Sequence, residues 1–439
     1  MVEAIRTPGV TRRSVLRATA LAIAGGGLSA ACGSAGPMGG SGDDGRIRIG
    51  YLTPTTGALA AFGAADQFVI GALTRHFAQN PIKVGGRTYV VEIVARDSQS
   101  NVDRAADLAR DLIVNGGIQL MVVAAEAEAA TPVSDQCEAS GMPCLSTGTP
   151  WQPWFYGRAG RPDAPFRWTY SFFWGLDQVE TVYADMWDQV RTNKVCAGLW
   201  PDDSDGRAWG DPTGGIPAAE GRHGYDFLDA GPYPAGTQNF ARLIDAFRAG
   251  RSDVLVGVPA TADFTAFWRQ ATQRGFRPKI ATIGKALLFP SGVEALGRLG
   301  VNLGTEVWWS PQHPFTSSLT GQTARQLADA YTVATGQQWI QPLGLAHALF
   351  EVAARAFATV PTIDDRAALA TALRQMKIDT VAGPLDWTRG PVPNVATTPL
   401  VGGQWRNGIS SPFELAVVSN RQFPGIPTAG PVQPLSVAG

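Results

Sequence analysis

Ile47-Arg48-Ile49-Gly50-Tyr51-Leu52 is followed by the loop Thr53-Pro54-Thr55-Thr56-Gly57 and then by a helix-length segment from about Ala64 to Gln79. The first run is short, apolar and ends at Pro and Gly, which is how a strand closes before its crossover helix. The same alternation continues. Thr88–Ala95 reads as a strand, and Asn101 caps a helix to Asn115 that Gly116-Gly117 ends. A strand at Leu120–Ala124, a helix at Thr131–Ser140 and a strand at Pro143–Ser146 follow. Strands alternating with helices at this spacing predict a parallel, doubly wound sheet.

The series breaks at Thr147–Pro165, a loop rich in Pro, Gly and aromatics, and resumes at Val195–Trp200. Helices at Gln238–Ala249 and Ala262–Arg274 alternate there with strands at Val254–Val258 and Lys279–Ile283, so a second α/β lobe is expected. Amphipathic helices near Thr323–Thr335, Leu343–Ala358 and Arg366–Met376 exceed what the second lobe can pair, so the chain should cross back and cover the first.

The 439 residues are 45% hydrophobic and 17% charged, with 51 Gly and 31 Pro, as in ordinary globular proteins. Lys plus Arg is 36 against 37 acids, and no basic block follows the first 17 residues, which argues against nucleic acid as a partner. Residues 1–31 read as an address. Thr11-Arg12-Arg13-Ser14-Val15-Leu16-Arg17 resembles a twin-arginine export signal, with Val15 in place of the usual Phe. Leu28-Ser29-Ala30-Ala31-Cys32 resembles a bacterial lipobox, so Cys32 is the expected lipidated N-terminus, with Leu28 one place upstream of its usual position. The remaining chain carries an acidic excess of about 4, after loss of four Arg and one Glu. Residues 32–45 read as a Gly/Ser tether, spanning roughly 20 Å as a coil.

Cys137 and Cys144 flank a turn at Gly141-Met142-Pro143, where a bridge and two buried thiols are both compatible with the pattern; Cys196 reads as a buried strand residue. Reaction chemistry is hard to find. The His residues at 76, 223, 313 and 347 share no metal-ligand spacing, and the nucleophile elbow, phosphate loop and dinucleotide fingerprint are absent. Asp202-Asp203-Ser204-Asp205-Gly206 fails as a calcium loop, because Pro201 and Pro212 stand at the first and last ligand positions. Neither a metal nor a cofactor is expected.

Ile47–Leu52 with Thr56–Gly63, Ala95-Arg96-Asp97-Ser98-Gln99-Ser100, Pro132-Val133-Ser134-Asp135, the Gly141–Ser146 turn and strand, and Val381-Ala382-Gly383-Pro384-Leu385-Asp386-Trp387 together resemble the leucine/isoleucine/valine-binding family of type I periplasmic binding proteins. The likeness covers residues 46–415. It implies two α/β lobes, each a doubly wound parallel sheet flanked by helices, joined by three hinge crossings near Gly175-Leu176-Asp177, Trp309-Ser310 and Gly383-Pro384. Lobe 1 would then hold 46–175 and 310–383, and lobe 2 would hold 176–309 and 384–420, with 421–439 a tail. It also implies a non-enzymatic receptor outside the cytoplasm, lipid-anchored to the membrane, that passes a small solute to the permease and ATPase of an ABC importer of the branched-chain amino acid type. A ligand sensor in a signalling system and a hydrolase on the same scaffold are the alternatives.

Carried over by position, Phe62 is the aromatic that meets the ligand. Ala127 and Glu128 stand in the first carboxylate loop, where hydroxyls are usual, and Thr147, Gly148 and Thr149 in the second. Asp205 replaces an aromatic near Gly206. Lys285 stands where an acid grips an amino acid's ammonium, facing either the cleft or, one alignment step away, solvent. A cleft Lys285 disfavours a branched-chain amino acid and would bind a ligand carboxylate or pair with Asp205 or Glu128. Of 13 Trp, Trp151, Trp174, Trp209 and Trp309 are candidate cleft walls, at least two of them lining it, while Trp154 and Trp168 read as core. Such walls suit a flat or apolar ligand body or a cation. The expected solute is a small amphiphile: amino acid-like, aromatic or carboxylate-bearing.

Overall fold

The computed structural model describes residues 44–228 and 230–435. The leader, Cys32 and nearly all of the tether lie outside the described residues. The first run of strands is β1 (Arg46–Thr53), β2 (Ile82–Val84), β3 (Arg87–Asp97), β4 (Leu120–Ala124), β5 (Cys144–Thr147) and β6 (Thr169–Phe172). The second is β7 (Val195–Leu199), β8 (Asp226–Leu228), β9 (Val254–Gly257), β10 (Ile280–Ile283) and β11 (Gly304–Val307). A hairpin of β12 (Lys377–Thr380) and β13 (Gly383–Asp386), a short β14 (Val395–Ala396), and β15 (Val401–Asn407) with β16 (Phe413–Ser419) complete the set.

These strands form two seven-stranded sheets, ordered β14-β6-β5-β4-β1-β3-β2 and β16-β15-β11-β10-β9-β7-β8. Each has a parallel centre and one antiparallel edge: β2 on β3 in the first, β15 on β11 and β16 on β15 in the second. The sheets are therefore mixed rather than wholly parallel. The central strands β4, β9 and β10 are buried along their whole length, which is why they read as continuous apolar runs rather than alternations.

Local signals set the helix ends. Asn101 accepts a hydrogen bond from the Arg104 N–H at the start of the helix Val102–Val114, a cap worth about 1 kcal/mol. Gly141, at φ 64°, closes Ala127–Ser140 in the left-handed conformation. Thr323 and Gln326 form a reciprocal capping box at Ala324–Thr335. The helix Pro342–Ala358 is buried on nearly every side and packs on β2, β4 and β5, so it belongs to the first lobe.

The chain passes between sheets three times. It leaves the first after Phe172 and enters the helix Leu176–Trp187, which packs on β11, β15 and β16. It leaves the second after Val307. The third passage is not at Gly383-Pro384, where the structure has the β12–β13 hairpin instead. The chain stays in the first lobe until β14, which pairs with Ser171 and Phe172, and reaches β15 through Thr397–Leu400. Two residues of strand are too short to show a sequence period, which is why β14 escapes a reading of the pattern.

The described part of the tail, 421–435, lies against the second sheet. The Gln404 side-chain amide donates to the Gln433 backbone carbonyl and accepts from the Gln433 backbone N–H, both at 2.8 Å, the Leu435 N–H donates to the Lys279 carbonyl at 2.8 Å, and Ile426 is buried.

Candidate functional site

In open α/β sheets, loops at the carboxyl ends of the strands make the binding crevice, and two facing sheets place two such sets of loops together. Here one cavity is walled by loop and helix-end residues of the first lobe (Phe62, Ala127, Gly148), of the second (Trp209, Lys285, Leu288) and of the passages between them (Trp174, Trp308). Lobe contact closes it. The Phe62 ring meets the Phe289 ring edge-on at 4.8 Å, and Trp174 meets Trp209 at 6.3 Å. The free volume inside is about 40 Å³, room for a few waters, so a solute would enter only with the lobes further apart.

At the centre is an ion cluster. Lys285, after β10, places Nζ 2.6 Å from Asp205 Oδ2 of its own lobe and 3.4 Å from Glu126 Oε2, which follows β4 in the other lobe. The side chains are 13%, 18% and 12% exposed, so the bridge is largely desolvated. Burial pushes the Glu126 carboxyl up to about 8 against the pull of Lys285. Glu128 is raised too, first by burial and then by Asp205. Burial alone would lower the Lys285 ammonium, but Glu126, Asp205 and Glu128 outweigh it and hold it above the ordinary lysine value. Lys285 sits at φ 55°, a left-handed conformation costly for a residue with a Cβ. The strain is held where the ammonium meets both lobes.

The floor is a second acidic feature. Glu306, on β11, accepts hydrogen bonds from the Tyr183 hydroxyl at 2.5 Å and the Thr305 hydroxyl at 3.1 Å. Burial pushes its carboxyl up to about 7 while these hydroxyls hold it back. A Cβ on Gly284 would lie 2.8 Å from the Trp209 ring and 3.3 Å from Glu306 Oε1, so glycine is what lets ring and carboxylate converge on the cavity.

Of the residues singled out from sequence, Phe62, Ala127, Gly148, Trp174, Asp205, Trp209 and Lys285 line this cavity, and Glu128 acts on it electrostatically. Thr147 and Thr149 are turned away: their hydroxyls donate to the carbonyls of Phe172 (2.7 Å) and Ala125 (2.9 Å), holding the loop whose Gly148 faces the space. Trp151 is outside the lining and clamps the first passage. Its indole N–H donates to Asp177 at 3.3 Å, and its ring lies where a Cβ on Gly175 would be. Trp309 is wholly buried against Gly344, its N–H donating to the Val381 carbonyl at 3.0 Å. Its neighbour Trp308 lines the cavity instead, with Phe173 edge-on at 5.1 Å.

Sequence reading missed Phe173 and Glu306 as lining residues, and passed over Glu126 and Trp308, which lie in segments it placed near the cleft. An acid in the apolar run Val301–Trp309 was the available signal for Glu306. Cys137 and Cys144 are free, buried thiols, the first raised by burial and by its hydrogen bond to the second. Among the described residues no cluster of His, Cys, Asp and Glu could hold a metal, and no helix is long and apolar enough to cross a membrane.

A serine, histidine and acid do meet beneath the first sheet, but not as a catalytic relay. Ser317 Oγ lies 2.8 Å and Glu351 Oε1 3.9 Å from the same ring nitrogen of His347, Nε2, whereas a triad uses both nitrogens. All three side chains are buried.

A family model described as "Periplasmic binding protein" matches residues 46–408. No curated protein sequence matches at a significant level. Among solved structures, a leucine binding protein from Thermotoga maritima is similar with a TM-score of 0.69 and 16% identity, covering 86% of this chain and 99% of that one. A branched-chain amino acid transporter substrate binding protein from Streptococcus pneumoniae, in complex with isoleucine, has a TM-score of 0.66 and 16% identity over 85% of this chain and 99% of its own. An ABC transporter solute binding protein from Rhodopseudomonas palustris, in complex with 3,4-dihydroxybenzoic acid, has a TM-score of 0.67 and 15% identity over 87% and 99%. At these identities the likeness is one of fold.

Proposed function

The chain belongs to the periplasmic binding protein family, and on that premise we propose that it is an extracytoplasmic receptor that closes its two lobes on a small amphiphilic solute and presents it to the permease and ATPase of an ABC importer. The observation that carries this reading is the cavity itself, lined by side chains of both lobes and of the passages between them. Such a site senses a solute by lobe closure, because a bound molecule touches both lobes at once. Two of its titratable groups are tied up: Lys285 bonds Asp205, and Glu306 bonds two hydroxyls. We therefore read the site as binding without turnover. Anchoring through a lipid on Cys32, after export, would keep the receptor beside its permease.

Native mass spectrometry of the purified protein, with a thermal-shift screen of amino acids, aromatic acids and amines, tests the reading. A solute at a thousand times its dissociation constant stabilises the folded state by about 4 kcal/mol. Recovery of an unchanged small molecule, or a saturable rise in melting temperature, supports a receptor. A molecule recovered as cleaved product, or no stabilisation by any solute class together with no co-purified molecule, refutes it.

A further inference from the structure

Resting on the receptor reading, we propose that the solute held in this cavity is an organic cation, a protonated or quaternary amine whose charged head lies between the Trp174, Trp209 and Trp308 rings and takes Glu126 as its counter-charge. The first support is the count of acidic groups, which a bound cation would draw into the charged form. Glu126, Asp205 and Glu306 line the cavity against a single cation, Lys285, and Glu128 adds a further acid beside it. Lys285 is committed to Asp205 at 2.6 Å; its 3.4 Å approach leaves Glu126 Oε2 without a hydrogen bond, and Glu128 Oε2 also has none. Glu306 is met by hydroxyls alone.

The second support is the wall. Phe173 meets Trp308 and Trp174 meets Trp209 edge-on around the space, and desolvated aromatic faces attract a cation. Arginine, which commonly takes such faces, is not among the lining residues. The third support is that an ammonium already bridges the lobes here. Lys285 joins Asp205 and Glu126 across the cleft, so the acids of the two lobes already share one positive charge. A ligand cation would take over Glu126 and leave the Lys285–Asp205 pair intact. The buried indole N–H groups of Trp174 and Trp308 lack partners, and they suit an acceptor oxygen on the same ligand. An anion such as an aromatic acid would face the surplus carboxylates instead.

Titration calorimetry on the purified protein tests this with choline, glycine betaine, the neutral choline isostere 3,3-dimethylbutan-1-ol, 4-hydroxybenzoate and leucine. Choline should bind at least tenfold tighter than its neutral isostere and tighter than the zwitterions, and Glu126→Gln should weaken it at least tenfold while leaving the isostere unchanged. Should Glu126→Gln fail to fold, the comparison of choline with its isostere in the unaltered protein still decides. Equal binding of choline and isostere overturns the proposal. Binding of 4-hydroxybenzoate or leucine without choline or betaine overturns it too, while leaving the receptor reading in place. Silence of every cation at 10 mM overturns it, and the co-purified molecule then decides the receptor reading separately.

Discussion

Replacing Lys285 with Met removes the ammonium that holds Asp205 and Glu126 together and should destabilise the protein in a pH-dependent way. Breaking a buried ion pair from one side costs about 3–5 kcal/mol, because the other charge is left without a partner in low dielectric. Exposures of 12% and 18% for the two carboxylates admit some water and reduce that figure. Glu126 also has an escape. Burial pushes its carboxyl up to about 8, and without Lys285 it rises further, so near neutrality it can take a proton rather than remain an uncompensated anion. A carboxyl raised on folding contributes stability that is present below its ordinary value and lost as pH rises through the folded one. The loss should therefore be about 2 kcal/mol at pH 6.5 and approach 4 kcal/mol at pH 9, where keeping a proton on Glu126 costs more. Methionine keeps the left-handed backbone and most of the stem's packing, so neither confounds the comparison. Urea unfolding followed by tryptophan fluorescence at the two pH values measures it. Equal losses at both, or an unchanged midpoint at pH 9, would refute the reasoning.

Gly344→Ala should be among the most damaging single methyl additions, since its Cβ would lie 2.3 Å from the buried Trp309 ring. A melting temperature lowered by several degrees checks it, and an unaltered one would show that Trp309 is free to move. The unliganded protein should melt at a higher temperature at pH 6.5 than at pH 9. Burial pushes Asp66, Glu306 and Glu351 up to about 7 and Glu126 and Glu220 up to about 8, and each loses its contribution as pH rises through those values. The buried His313 and His347, whose pKa values are lowered, act only on the acid side of that range, so a flat or rising profile would count against the buried carboxyls. The thiols of Cys137, Cys144 and Cys196 should react with an aromatic disulfide reagent only after denaturation. Rapid native labelling, or a missing pair of thiols after denaturation, would contradict free buried cysteines.

The alternation from Ile47 onward fixed the class of fold, because strand and helix leave their periods in consecutive residues wherever an element is long enough to bury a face. Asn101, Gly141 and Thr323 act within one turn of their helices, and each was readable for that reason. Lys285 and Asp205 stood out as charges in unexpected company, but sequence could not show that they pair with each other at 2.6 Å, being 80 residues apart. Nor could it separate Trp308 from Trp309: the two are adjacent and chemically identical, and only packing against Gly344 decides that Trp309 enters the core. The same holds for the third passage between lobes. Two residues of β14 carry no period, and their membership in the first sheet is decided by pairing with Ser171 and Phe172, more than two hundred positions away in the chain. Short-range pattern wrote the elements. The cavity's charge and its aromatic walls exist only where distant loops are brought to one place.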